Sequence, residues 1–195
     1  MFAPDLKGFG ENSDMPYPYC LDDYILSVRE YMYKNSIVKP HVVAHSFGAR
    51  IVIKSASCDG ELFDKIVLTG AAGLKPKPTL KKAIKRGVFK ALKPFLGTER
   101  LSSFYSSDYR ALSPVMQKSF IKIVNEHLDK YVHLIKNPTL LIFGENDRQT
   151  PPYMAKKILD EIDDCKLSFY KNAGHFCFLD CPLKFNLEVR EFLLS

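Results

Sequence analysis

Ser46, Asp147 and His175 are the residues whose types and placement could carry chemistry. A serine hydroxyl attacks a carbonyl carbon only when a base removes its proton and the chain exposes it. A histidine held by a carboxylate is suited to be that base. Ser46 lies in Val42-Val-Ala-His-Ser46-Phe-Gly48-Ala-Arg50, an apolar run that breaks into small and helix-compatible residues. Such a segment reads as strand, sharp turn and helix, with the serine at the apex. Ala44 and Gly48, two residues either side, are small enough to let the backbone close, so the pattern is G-x-S-x-G with alanine for the first glycine. A serine that only caps a helix would give the same five residues. The case for a nucleophile therefore depends on its partners.

Two partners occupy matching positions. Asp147 ends the loop Gly144-Glu-Asn-Asp147, just after the apolar run Thr139-Leu-Leu-Ile-Phe143. His175 lies in Ala173-Gly-His175-Phe, just after the run Lys166 to Tyr170. All three residues would project from the carboxyl ends of parallel strands, the edge where open α/β sheets bind ligands. Glu145 is the competing acid in the same loop.

The elements that must position them follow from periodicity. Met1 to Pro4 reads as a strand stub, followed by the turn-rich Asp5-Leu-Lys-Gly-Phe-Gly10. Leu21, Ile25, Val28 and Met32 recur at helical spacing, with Asp22 and Asp23 favouring the start of that helix. Pro40 opens a buried strand from His41 to His45, and a helix runs from about Gly48 to Ser57. An Asp59-Gly60 turn leads to a strand from Lys65 to Thr69. Residues 75–133 break the alternation and read as several helices without a strand. Thr150 before Pro151 reads as an N-cap and first-turn pair. Pro182 begins a closing helix whose stripe is Phe185, Val189, Phe192 and Leu193. Alternating strands and helices predict a three-layer α/β fold with a mostly parallel sheet.

With these residues the chain resembles the α/β-hydrolase superfamily, in its cap-bearing branch of small-molecule serine hydrolases. The resemblance rests on the Asp5-to-Gly10 turn, the Ala44-to-Gly48 elbow, the Gly144-to-Asp147 loop and the Ala173-Gly-His175 loop. The order serine, acid, histidine is that of this fold. It implies Ser46 as nucleophile, Asp147 rather than Glu145 as orienting acid, His175 as base, and the backbone N–H of Phe47 as an oxyanion donor. A serine at position 46 sets the chain apart from dehalogenase and epoxide-hydrolase relatives, which carry aspartate there.

The implied organisation is a first part of the core over 1–74, a helical cap over 75–133, and a second part of the core over 134–195. In the superfamily three strands precede the Asp5 turn, and the third ends in a loop, often His-Gly, that supplies a second oxyanion donor. None of the five histidines here is followed by glycine. The expectation is an N-terminally truncated α/β-hydrolase fold, whose strand at 41–45 is unpaired on one side and a template for self-association.

The function expected is hydrolysis of a small, partly apolar ester, thioester or related carbonyl compound through an acyl-enzyme, with no cofactor or metal implied. The alternatives are a non-catalytic or mis-started fragment of such an enzyme, and a ligand-binding receptor on the same fold.

Composition narrows the partners. The net charge of +6 comes from Lys75, Lys77, Lys81, Lys82, Lys85, Arg86, Lys90 and Lys93, and the rest of the chain is slightly acidic. That concentration argues against a nucleic-acid-binding face. Leu80, Ile84, Val88, Ala91 and Leu92 form an apolar stripe among these charges, so the segment reads as a solvated amphipathic cap helix. The competing readings are attraction of an anionic substrate and contact with an acidic membrane surface. No run approaches the roughly 18 apolar residues of a membrane span. The first residues lack a basic region followed by an apolar one.

The five cysteines show no finger-like pairing and read as free thiols of a cytoplasmic protein. His45 reads as structural, and His41, His127 and His133 as surface or helix histidines. Gly8 and Gly10 are turn glycines, because no G-x-G-x-x-G leads from them into a helix.

Overall fold

The computed structural model describes residues 1–77, 109 and 111–195. Its centre is a four-stranded parallel sheet: β1 (Val42–His45), β2 (Ile66–Thr69), β3 (Thr139–Gly144) and β4 (Cys165–Tyr170), in that spatial order. Parallel neighbours need a crossover, and helices supply it. The described helices are α1 (Leu21–Lys34), α2 (Phe47–Cys58), α3 (Pro114–Asn125), α4 (Asp129–Val132), α5 (Pro152–Glu161), α6 (Cys177–Asp180) and α7 (Pro182–Leu194), of which α2 to α5 lie between strands.

The central strands are buried on both faces. Ile66, Leu68, Leu141 and Phe143 point into one core with Leu21 and Tyr24 of α1, Ala49 and Ile53 of α2, and Met154, Ala155 and Ile158 of α5. Val67, Leu140 and Ile142 point into the other, closed by Phe185, Val189, Phe192 and Leu193 of α7. The stripe read from the sequence of α7 is thus the face it buries. The α1 stripe is also the packed one, with Tyr24 added to it.

Local chemistry sets the helix starts. Asp23 accepts a hydrogen bond from the backbone N–H of Cys20 at 2.7 Å, which satisfies a donor at the head of α1. Ser113 caps α3 through Met116 N–H, with Pro114 in the first turn. Buried polar groups of α2 hold α3: Arg50 donates to the Ile123 and Glu126 carbonyls, and Lys54 pairs with Asp22 and Glu126 at 2.6 Å each.

Three local expectations are corrected. Residues 1–4 are exposed and belong to no strand. In β1 only Ala44 is fully buried and Val43 is 49% exposed, because β1 is an edge strand paired only with β2 among the described residues. Thr150 does not cap α5, whose N-cap is Pro151; its hydroxyl is engaged elsewhere. The lysine-rich stretch from Lys81 to Lys93 and its apolar stripe lie outside the described residues. Among the described residues no helix is long and apolar enough to cross a membrane.

Candidate active site

Ser46 sits where β1 turns into α2, with φ 48° and ψ −102°. A left-handed φ is costly for a residue with a Cβ and persists only where neighbouring contacts enforce it. Here Ser46 N–H donates to the Thr69 carbonyl at 3.0 Å, and the Ser46 carbonyl accepts from Ala72 N–H at 3.3 Å. Ala44 fits the elbow without strain: even a Cβ added at Gly48 would lie an ordinary 3.7 Å from the Ala44 Cβ. Phe47 is the first residue of α2, so its N–H is one of those left without a partner inside the helix and carries the positive end of the helix dipole.

The other two residues arrive through a backbone crossing. The Asp147 loop leaves β3 and the His175 loop leaves β4. They are bonded by Asn146 N–H to the Ala173 carbonyl at 2.9 Å and Glu145 N–H to the Tyr170 carbonyl at 3.0 Å. Gly144 permits this approach, since a Cβ would fall inside contact distance of the Gly174 and Ala173 carbonyl oxygens. Asp180 steadies the second loop by accepting from Gly174 N–H at 2.7 Å.

The result is a hydrogen-bonded relay. His175 Nε2 lies 3.0 Å from Ser46 Oγ, and His175 Nδ1 lies 2.8 Å from Asp147 Oδ2. The Asp147 side chain is wholly buried and that of His175 nearly so. Burial alone would raise the Asp147 pKa. Hydrogen bonds from His175 and from the N–H and hydroxyl of Thr150 outweigh it and hold the carboxyl below its ordinary value. Asp147 therefore stays ionised and can accept from His175 Nδ1–H, which leaves Nε2 free to take a proton from Ser46.

The residues weighed against these stand apart. Glu145 is exposed, and the imidazole bonds Asp147. His41 is paired with Asp64, while His127 and His133 are exposed. All five cysteines are free. Burial pushes the Cys177 thiol up to about 11 and the Cys165 thiol to about 12, so both remain protonated at neutral pH. Among the described residues no group of three or more His, Cys, Asp or Glu side chains is placed to hold a metal ion.

Three contributors escape a reading of the sequence. Thr150 donates to Asp147 Oδ2 at 2.7 Å, Gly70 lies against the His175 ring, and the His45 ring packs beside it at a tilt. The only signal for Thr150 was its three-residue distance from an aspartate, which equally suits a turn or cap.

Comparison with known proteins agrees with this architecture. The profile of the "Alpha/beta hydrolase family" matches residues 1–188. The AB hydrolase superfamily protein YisY of Bacillus subtilis is 26% identical, over 96% of this chain and 79% of its own. The 2-hydroxy-6-oxo-6-(2'-aminophenyl)hexa-2,4-dienoic acid hydrolase of Metapseudomonas resinovorans is 23% identical, over 99% and 73%. A meta-cleavage product hydrolase from Pseudomonas fluorescens superposes with a TM-score of 0.72 at 24% identity, covering 98% of this chain and 78% of the other. The chain belongs to the alpha/beta hydrolase family, and its fold is that of the family.

Proposed function

We propose that this protein is a serine hydrolase that cleaves a small, partly apolar ester, thioester or related carbonyl compound through an acyl-enzyme. The observation that carries the reading is the relay from Ser46 Oγ through both nitrogens of His175 to the buried Asp147 carboxylate.

Ser46 Oγ bonds to the substrate carbonyl carbon while His175 Nε2 takes the hydroxyl proton. The carbonyl oxygen gains negative charge and is met by the Phe47 N–H at the head of α2. Asp147 keeps the imidazole in its Nδ1–H tautomer and stabilises the imidazolium. Collapse of the intermediate breaks the bond to the leaving group, which takes the proton from His175. Water then attacks the acyl-enzyme, gives its proton to His175, and the acid product departs as that proton returns to Ser46. The segment 75–133 is read as the cap of the fold, a reading supported by the bonds from Arg50 and Lys54 to its described part.

A second reading concerns the bond cleaved. Several similar proteins are named as hydrolases of 2-hydroxy-6-oxo dienoic acids, and hydrolysis of such compounds splits a carbon–carbon bond next to a ketone. The same serine relay suits a vinylogous diketone, whose leaving carbon takes the proton.

A fluorophosphonate probe is expected to label Ser46, and Ser46→Ala to abolish labelling in a folded protein. Parallel assays with a p-nitrophenyl ester and a 2-hydroxy-6-oxo dienoate then decide between the two bonds. Labelling that survives Ser46→Ala overturns the assignment of the nucleophile.

A further inference from the structure

His45 precedes the elbow serine and takes no part in the relay, yet it touches the base. Its ring centroid is 4.7 Å from that of His175, with the planes 53° apart. Phe176 and Phe178 close on the His45 ring at 5.2 and 5.0 Å. On its other side Nδ1 lies 2.7 Å from Thr69 Oγ1 and 3.1 Å from the Thr69 carbonyl. A carbonyl only accepts, so the proton on Nδ1 satisfies both contacts, and Nε2 is then a bare acceptor. That Nε2 is buried and, among the described residues, has no hydrogen-bond partner. A side chain that leaves a buried acceptor unpaired is a poor choice for packing alone.

Thr69 connects this ring to a second contact with the base. The next residue, Gly70, has φ +47° and no side chain, and a Cβ there would lie 3.0 Å from His175 Nδ1 and 3.1 Å from Cε1. The stretch from Thr69 to Gly70, with His45 bonded to it, is therefore one unit that meets the His175 imidazole at Nδ1 and Cε1 through Gly70 and through the tilted His45 ring. The Phe176 ring, 73° from the plane of the imidazole, adds a further contact at 5.3 Å.

We propose that His45 is a positioning residue for His175. Its ring, anchored by Thr69, is the wall that keeps the His175 imidazole turned with Nε2 towards Ser46. Its neutrality leaves His175 as the one place in this cluster where positive charge develops. Burial, together with the neighbouring His175, lowers the His45 pKa and so favours the neutral ring, against the weaker pull of Thr69 and Asp147. Among the described residues the charged or titratable groups facing His45 are thus His175 and, behind it, Asp147; Thr69, Phe176 and Phe178 carry no charge. This inference rests on the serine-hydrolase reading.

The test compares the wild type with His45→Ala, His45→Asn and His45→Phe by the rate of fluorophosphonate labelling at Ser46 and by kcat and KM for an ester. Removing the wall in the Ala and Asn variants lets the base swing. It should lower kcat and the labelling rate by about 10²-fold, the scale of an ångström misplacement, with KM nearly unchanged. His45→Phe restores a flat, neutral wall and should recover most of the rate. Two cavity-forming variants are used so that misfolding of one, seen by circular dichroism, leaves the other decisive. Wild-type labelling rates in a folded Ala or Asn variant overturn the inference, as does a folded Phe variant as slow as the other two. Failure of the wild type itself to label Ser46 overturns the serine-hydrolase reading, and this inference with it.

Discussion

Asp147 accepts hydrogen bonds from Gln149 N–H, Thr150 N–H, the Thr150 hydroxyl and His175 Nδ1. A carboxylate so surrounded is held in one orientation. An asparagine there keeps the shape but presents an amide that favours the wrong imidazole tautomer. Asp147→Asn is expected to lower kcat by about 10⁴-fold, the effect known for the equivalent change in a serine protease, in a protein that still folds but melts somewhat lower at neutral pH, where the carboxylate stabilises the native state. Glu145→Gln, on the exposed side of the loop, should leave kcat nearly unchanged. Reversed effects in an ester assay would reassign the acid.

Two residues of the site also give stability a sign with pH. His45 is held below its ordinary value of 6.5, so the unfolded chain takes up a proton that the native ring resists. Its contribution is present above 6.5 and is lost as pH falls through the native pKa. Asp147 is held below 3.8, so its contribution is present above that value and is lost as pH falls through its own lower native pKa. Urea denaturation at a series of pH values should show stability falling in two stages, and His45→Phe should remove the upper one. A variant that keeps the upper stage would show that another group causes it.

Between strands, the site depends on how closely two loops approach. Gly144 ends β3 with no side chain exactly because the 173–174 backbone crosses it, and this crossing places Asp147 and His175 in reach of each other. Gly144→Ala forces backbone against backbone, and overpacking of that kind costs about 1–3 kcal/mol. The expected result is a lower melting temperature together with a loss of Ser46 labelling greater than the loss of stability explains. Normal labelling in this variant would mean that the loops can separate without harm. The bonds from Arg50 and Lys54 to the end of α3 tie part of the 75–133 segment to the helix that follows Ser46.

At the scale of the whole molecule, the sheet leaves the outer edge of β1 unpaired among the described residues. Backbone groups of β1 that alternate with those bonded to β2 face away from the sheet. Val43 on that strand is exposed, in register with Val67 on the face that α7 covers, and Leu183, Leu187 and Leu194 of α7 are exposed as well. Open edges beside apolar surface pair with other chains, and lysine on an edge strand opposes this. The chain is expected to self-associate with rising concentration, and Val43→Lys to weaken that association. Light scattering over a concentration series checks both, and a wild-type chain that stays monomeric throughout contradicts the expectation.

Ser46, Asp147 and His175 were legible in the sequence because each follows an apolar strand-length run, and parallel strands deliver their carboxyl ends to one edge. The layers were legible for the same reason: Val67, Leu140 and Ile142 alternate with Ile66, Leu141 and Phe143 in runs buried on both faces. Tertiary structure alone decided what lies beside those three residues. Thr150 bonds Asp147 instead of capping α5, Gly144 yields to a loop 30 residues away, and His45 meets His175 across two strands. Periodicity states which face of an element is apolar. Distances between groups on different elements depend on strand register and loop path, which no local pattern encodes.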